Sequence, residues 1–185
     1  AGKDITNRLA RLARKIAPHD KVVNEFGLIR GVVEMIDIGA ESFLPEQLER
    51  YRKGITPQQN HEAIEIARRN GIFPNLYMLV GDEETDFEEI RRVSQVFIDN
   101  PFYLTLVGDI NIKQTFPHMM FENYPEWIKK YVQMLKILTR EDPDSHWSGP
   151  EIKFKFMMGI PPTDAERELA REQFEFIHQE VRKLT

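Results

Sequence analysis

Between Val32 and Val107 the chain alternates strand-like and helix-like segments, and this alternation limits the fold more than any other feature. Val32-Val33-Glu34-Met35-Ile36-Asp37-Ile38 is a mostly apolar run broken at Gly39, which leads into Ala40-Glu41-Ser42. Phe73 to Val80 is a second such run, broken at Gly81, and Tyr103 to Val107 is a third, broken by Gly108-Asp109. Near-continuous apolar strands point to a sheet covered on both faces. Strands separated by helical segments point to a parallel sheet with helical crossovers. Such sheets bind ligands at the carboxyl ends of their strands. Glu41, Ser42, Gly81, Asp82 and Asp109 are therefore the first candidates for chemistry.

The intervening segments carry helix signals. Leu44, Leu48 and Tyr51 share one face of a short helix from about Pro45 to Arg52, with Gly54 as its C-cap. Thr56-Pro57-Gln58-Gln59 is a capping box with proline at the first helical position, and Ala63, Ile64 and Ala67 form the buried stripe, ending at Asn70-Gly71. Thr85-Asp86-Phe87-Glu88 reads as a second capping box, followed at helical spacing by Phe87, Ile90, Val93, Val96 and Phe97, with a stop before Pro101. Pro125 opens a helix with Trp127, Ile128, Tyr131, Leu135 and Leu138 inward. Ile152-Lys153-Phe154-Lys155-Phe156 alternates strictly and predicts a strand with one wet face. Thr163 to Glu166 is a third capping box, opening a last helix with Leu169, Ala170, Phe174, Ile177, Val181 and Leu184 on one side. Towards the start, a helix is expected from Asp4 to Ile16, and a short one within Lys21 to Arg30. The polar stretch Glu141 to Pro150 is the one plausible seam, dividing 1–140 from a strand–helix extension at 141–185.

Composition removes several classes. The chain has 185 residues, a length suited to one domain. It has no cysteine, which excludes disulfides, thiolate nucleophiles, thiolate zinc sites and thiolate-held iron–sulfur clusters within it. A net charge of −5 opposes nucleic-acid binding. The basic cluster Arg8, Arg11, Arg14 and Lys15 reads better as the solvated face of the first helix. No apolar run is long enough for a membrane span, and no leader is visible, so a cytoplasmic protein is expected. The start at Ala1-Gly2-Lys3, without Met, suggests a processed or truncated chain.

Individual residues offer little by motif. The chain has no glycine-rich phosphate loop, no Gly-x-Ser-x-Gly and no His-Glu-x-x-His. His19, His61, His118, His146 and His178 are scattered. Glu175-Phe176-Ile177-His178 matches a di-iron spacing, but one copy reads as a surface coincidence. His118 and Glu122 read as loop residues, and Met119-Met120 and Met157-Met158 as core filler. The acidic run Asp82, Glu83, Glu84, Asp86, Glu88, Glu89 reads as a solvated helix start. Glu34 and Asp37, three apart in a strand, face opposite sides.

One longer pattern is more specific. Ile38-Gly39-Ala40-Glu41-Ser42, Leu48, Arg52-Lys53-Gly54-Ile55-Thr56, Ala63-Ile64, Asn70-Gly71-Ile72, Val80-Gly81 and Glu84-Thr85-Asp86-Phe87 follow one another in order. This run resembles the second half of the radical SAM barrel, in the branch of methylthiotransferases, Elongator-type proteins and cobalamin-dependent members. The resemblance covers somewhat under half the chain. It departs from the family in lacking the three-cysteine cluster segment and the first strands, and in reading Gly81-Asp82-Glu83-Glu84-Thr85 where the family usually has Gly-x-Pro-Gly-Glu-Thr.

The resemblance implies a partial, half TIM-like α/β barrel of parallel strands with a C-terminal strand–helix extension. It implies a parent enzyme in which a 4Fe-4S cluster cleaves S-adenosylmethionine to a 5′-deoxyadenosyl radical, with cobalamin dependence left open. It places Glu41 and Ser42 beside bound S-adenosylmethionine, Lys53 near its methionyl carboxylate, and Leu79, Val80 and Gly81 along the adenine. Asp109 joins them by topology, and no catalytic residue is assigned. Read this way, the chain is a fragment that is not catalytic alone. Its partners are the missing N-terminal half of the barrel or, through exposed sheet edges, a second copy. The alternatives are a degenerate, non-catalytic βα-barrel binding or scaffold domain, and a TIM-type hydrolase or lyase fragment using Glu41 and Asp109 as acid and base.

Overall fold

The computed structural model describes residues 22–23, 29–30, 35–113, 121–139 and 145–185. The helix expected over Asp4–Ile16, its basic cluster, and Glu34, His19, His118 and Met119-Met120 lie outside them. The described elements are β1 (Val22–Val23), β2 (Ile29–Arg30), β3 (Met35–Glu41), α1 (Pro45–Arg50), α2 (Pro57–Arg69), β4 (Phe73–Leu79), α3 (Phe87–Asp99), a 3-10 helix (Pro101–Leu106), β5 (Val107–Asn111), a short 3-10 turn (Phe121–Asn123), α4 (Glu126–Leu138), another turn (His146–Ser148), α5 (Pro150–Met157) and α6 (Asp164–Arg182).

β3, β4 and β5 form a three-stranded parallel sheet in that order, with α2 and α3 carried on the crossovers. Asp37 pairs in register with Asn75, Tyr77 with Asp109, and Leu79 with Asn111. All three strands therefore exit at one end. The ladder continues past the strands through Val80 N–H to the Asn111 carbonyl and Lys113 N–H to the Gly81 carbonyl. Leu76, Met78 and Val80, with Ile110 and Ile112, enter one core with Ile90, Val93 and Phe97 of α3, Ile128, Tyr131 and Leu135 of α4, and Phe174 and Ile177 of α6. The alternate positions Met35, Asp37 and Tyr77 remain exposed on the strands.

The helix starts follow their sequence signals at Thr56 and Thr163, each with both hydrogen bonds of a capping box. At α3 the cap moves by one residue. Asp86 accepts from Glu89 N–H, while the Thr85 hydroxyl accepts from Asp82 N–H and donates to the Asp82 carboxylate. α1 ends in a Schellman arrangement, with Lys53 N–H on the Leu48 carbonyl and Arg52 N–H on Glu49. The left-handed position there is Arg52, at φ +53°, rather than Gly54, although Gly54 also has a positive φ.

Four other expectations are corrected. Within Lys21–Arg30 the described residues pair as an antiparallel bridge, Val22 with Arg30 and Val23 with Ile29, where a helix was expected. The first parallel strand runs through Gly39 to Glu41, so the glycine is an interior residue of a strand that bulges between Ile38 and Glu41. Tyr103–Leu106 is 3-10 helix, because Pro101 starts a turn whose apolar residues pack inward, and the strand begins only at Val107. Gly108 and Asp109 are therefore inside the strand. Ile152–Phe156 is helical: Gly149-Pro150 starts α5, and Ile152 and Phe156, one turn apart, are both buried. The C-terminal extension is accordingly a helix pair. Within the 141–150 stretch, Trp147 is fully buried and donates from Nε1 to Gln173 Oε1 of α6 at 2.8 Å.

Candidate functional site

The strand exits are built from three groups of side chains. At the β3 exit, Glu41 takes a left-handed backbone, φ +62°, which is unusual for a non-glycine residue and costs free energy. Its carboxylate folds back beside Gly39, where an added Cβ would come within 3.0 Å of Oε1. It accepts from Lys53 Nζ at 2.8 Å. Ser42 is buried beside it, donating to Gln47 Oε1 at 2.5 Å and accepting from Leu44 N–H. Asn60 of α2 donates to the carbonyls of both Ala40 and Ser42 at 2.8 Å, tying the helix to the bulged strand end. The structure brings Glu41, Ser42 and Lys53, three of the residues the sequence singles out, into one neighbourhood, and adds Asn60, which the sequence reading did not name. A polar residue on the buried stripe of Ala63, Ile64 and Ala67 was its one signal.

The second group lies at the β4 exit. Asp82 is buried and receives Arg50 through two hydrogen bonds, Nε to Oδ2 at 2.9 Å and Nη2 to Oδ1 at 3.2 Å. The same guanidinium reaches Glu89 Oε1 at 2.6 Å. Two members of the acidic run are thus buried counter-ions rather than a solvated helix start. Burial works against the Arg50 charge, yet the hydrogen bonds from Asp82 and Glu89 outweigh it and hold the guanidinium pKa above its ordinary value. Burial and the negative charge of Asp82 push the neighbouring Tyr51 phenol upward, so it stays protonated. Lys113 lies 4.6 Å from the Tyr51 ring centre and donates to the Arg50 carbonyl. Gly81 is closely packed: an added Cβ would lie 2.8 Å from Ile128 Cδ1 and 3.2 Å from Thr85. Val80 is fully buried.

The third group lies along β4 and β5. Asn75 donates to Asp37 at 2.7 Å and rests over Gly108, where a Cβ would come within 2.3 Å of Asn75 Oδ1. Asp109 accepts from Asn111 Nδ2 at 2.7 Å and lies 3.8 Å from Lys136 of α4. Leu79, Asn111, Ile112 and Lys113 face Val132, Gln133 and Lys136 across an open cleft of about 740 Å³. Leu79 and Asn111 thus belong to a cavity, whereas Asp109 sits two residues before the strand ends and beside that cavity's Lys136.

Among the described residues no group of three or more His, Cys, Asp or Glu could hold a metal ion. His178 departs from its expected surface position. Its Nε2 lies 2.9 Å from Ser94 Oγ, and it packs against Phe87, Tyr131 and Phe174. Burial, then the charges of Arg91 and Arg182, lower its pKa to about 4. Of the Met157-Met158 pair, only Met157 is core; Met158 is exposed. No described helix is long and apolar enough to cross a membrane.

The fold and these exits define an α/β chain with a three-stranded parallel sheet and an ion-paired polar rim at its carboxyl end. No protein-family model, curated protein or solved structure matches it.

Proposed function

We propose that this chain is part of a radical SAM barrel, contributing strands that line the S-adenosylmethionine and substrate site without being catalytic alone. The observation that carries the reading is the Glu41–Lys53 pair at the exit of the bulged β3 strand. A methionyl headgroup carries one ammonium and one carboxylate. The pair offers a carboxylate to the first and an ammonium to the second, the latter as a point charge. The strained Glu41 backbone is the kind of feature that persists where a side chain must be aimed. Three parallel strands exiting together, with Asp37, Tyr77 and Asp109 on one face, support a partial barrel whose polar face is its lumen.

The residues present do not fit an iron–sulfur cluster. The chain has no cysteine, and its described residues offer no alternative donor set. In a complete member the cluster would be held by a segment of the missing half. This chain's own residues bind and orient: Glu41 and Lys53 take the headgroup, Ser42 and Asn60 fix the strand end beneath it, and Arg50 with Asp82 and Glu89 holds the neighbouring turn. Among the described residues β3 and β5 are the two edges of the sheet, and the partner in this reading is the other half of the barrel or a second copy. Light scattering with size exclusion distinguishes these in the isolated chain.

Calorimetry with S-adenosylmethionine tests the reading. Weak affinity that is lost in both Glu41→Gln and Lys53→Met supports it. Affinity indifferent to both substitutions contradicts it, and no binding at all favours the degenerate scaffold that the cysteine-free composition also allows. Hydrolytic turnover by the chain alone would instead identify the third reading, although Glu41 and Asp109 each already lie beside a lysine, on strands separated by β4.

A further inference from the structure

We infer that Asn60 is a positioning residue: its side-chain amide holds Glu41 in a γ-turn of positive φ and so aims the Glu41 carboxylate at the headgroup site. Thr56, Pro57 and Gln59 fix the start of α2, and position 60 then falls on the helical face of Ala63, Ile64 and Ala67. Asparagine is a poor residue for a helix interior, yet here it is 3% exposed. Its two N–H groups explain its place. Both are used, because Nδ2 reaches the carbonyls of Ala40 and Ser42 at 2.8 Å each. Two oxygens reached in this way lie less than about 6 Å apart, whereas carbonyls two residues apart on an extended strand are separated by about 6.6 Å. The bridge therefore requires the chain to contract at the residue between them, which is Glu41.

The backbone carries that contraction. Ser42 N–H donates to the Ala40 carbonyl at 2.7 Å, closing a three-residue turn with Glu41 at its centre, at φ +62°. This hand of γ-turn is the rare and strained one. The Ala40 carbonyl thus accepts twice, from Ser42 N–H and from Asn60, which occupies both of its lone pairs. Among the described residues the other non-glycine position with positive φ is Arg52, immediately before Lys53. Both members of the Glu41–Lys53 pair are therefore presented from left-handed backbone, one at the residue itself and one at its neighbour. Strain of this kind persists where the surroundings over-determine it, and at Glu41 the group that does so reaches over from α2.

This role rests on the reading of Glu41 and Lys53 as headgroup ligands, and its test has one arm that does not. Glu41→Gly and Glu41→Ala both remove the carboxylate, and urea unfolding compares them in the native chain and in Asn60→Ala. With Asn60 present residue 41 must take a positive φ, so the Glu41→Gly chain should have an unfolding constant about 5-fold lower than the Glu41→Ala chain. With Asn60→Ala the turn opens and the order should reverse, because glycine in an extended segment is the less stable of the two. Nuclear magnetic resonance follows the strong intraresidue cross-peak between the Glu41 amide and α-protons, the mark of a positive φ. It should weaken in Asn60→Ala and equally in Asn60→Asp, which keeps the shape but puts an oxygen in place of the donating nitrogen. In the second arm, calorimetry with S-adenosylmethionine should show binding weakened by about 5-fold in Asn60→Ala. An unchanged order of the two Glu41 variants, a cross-peak that survives both Asn60 substitutions, or S-adenosylmethionine affinity indifferent to Asn60→Ala overturns the role. If Asn60→Ala does not fold, the native background decides: Glu41→Ala more stable than Glu41→Gly overturns it. Reversal of the order in a chain that binds no S-adenosylmethionine supports the role of Asn60 and ends the cofactor reading alone.

Discussion

Arg50→Met is the perturbation that most directly probes how the strand exits are held. It removes the guanidinium that joins α1 to Asp82 after β4 and to Glu89 in α3, through bonds of 2.9, 3.2 and 2.6 Å. The two carboxylate side chains are 4% and 6% exposed, so they would be left charged, buried and unpaired. Removing one partner of a fully buried pair costs about 3–5 kcal/mol. The Arg50 side chain is itself 24% exposed, so water can partly replace it, and about 3 kcal/mol is the expected loss. For a chain of this size that lowers the melting temperature by about 6–12 °C. Adding Asp82→Asn and Glu89→Gln to Arg50→Met removes the stranded charges and should recover roughly half the loss. Urea and thermal unfolding followed by circular dichroism give the values. A single variant within about 0.5 kcal/mol of wild type, or a triple variant less stable than the single one, would refute the buried-charge argument.

Three further outcomes follow from the geometry. The folded-state pKa of His178 is lowered to about 4, so between its ordinary value of 6.5 and 4 the unfolded chain binds a proton that the folded chain does not. His178-dependent stability should be complete above pH 6.5, decline by about 2 kcal/mol as the pH falls to 4 after allowing for the ring's partial exposure, and level off below; His178→Gln should flatten this segment of the profile. Gly108→Ala places a methyl against the buried Asn75 amide and should cost about 1–3 kcal/mol in urea unfolding, while the same change in an Asn75→Ala background should cost much less. Thr163→Ala removes the cap of α6 and should cost about 1 kcal/mol, seen as faster amide exchange in the first turn of that helix.

The features legible in the sequence were those decided locally. Thr56-Pro57-Gln58-Gln59 and Thr163 to Glu166 cap their helices because the partners lie three residues apart. The buried stripes of α2, α3 and α4 follow from helical spacing, and the parallel order of β3, β4 and β5 from the helices between them. Ile152 to Phe156 misled because alternation over five residues also places Ile152 and Phe156 one helical turn apart. What decides it is the start at Gly149-Pro150 and the core beneath, with Lys155 turned to Glu151 and Glu166. Tyr103 to Leu106 reads as a strand because a buried 3-10 turn is as apolar as a buried strand. The Arg50 cluster was illegible because its partners lie 32 and 39 residues away, and a run of six acids gives no sign of which two are buried. Glu41 and Lys53, twelve residues apart, were brought together by a resemblance; the bulge and positive φ that aim Glu41 have no local sequence signal beyond Gly39.

Backbone amide mapping of S-adenosylmethionine on the isotope-labelled chain tests the central claim most directly. The account predicts weak, saturable shifts concentrated at Glu41, Ser42, Lys53, Leu79 and Gly81, and their disappearance in Glu41→Gln. Shifts centred on the opposite end of the sheet, or an unchanged spectrum at millimolar ligand, would contradict it.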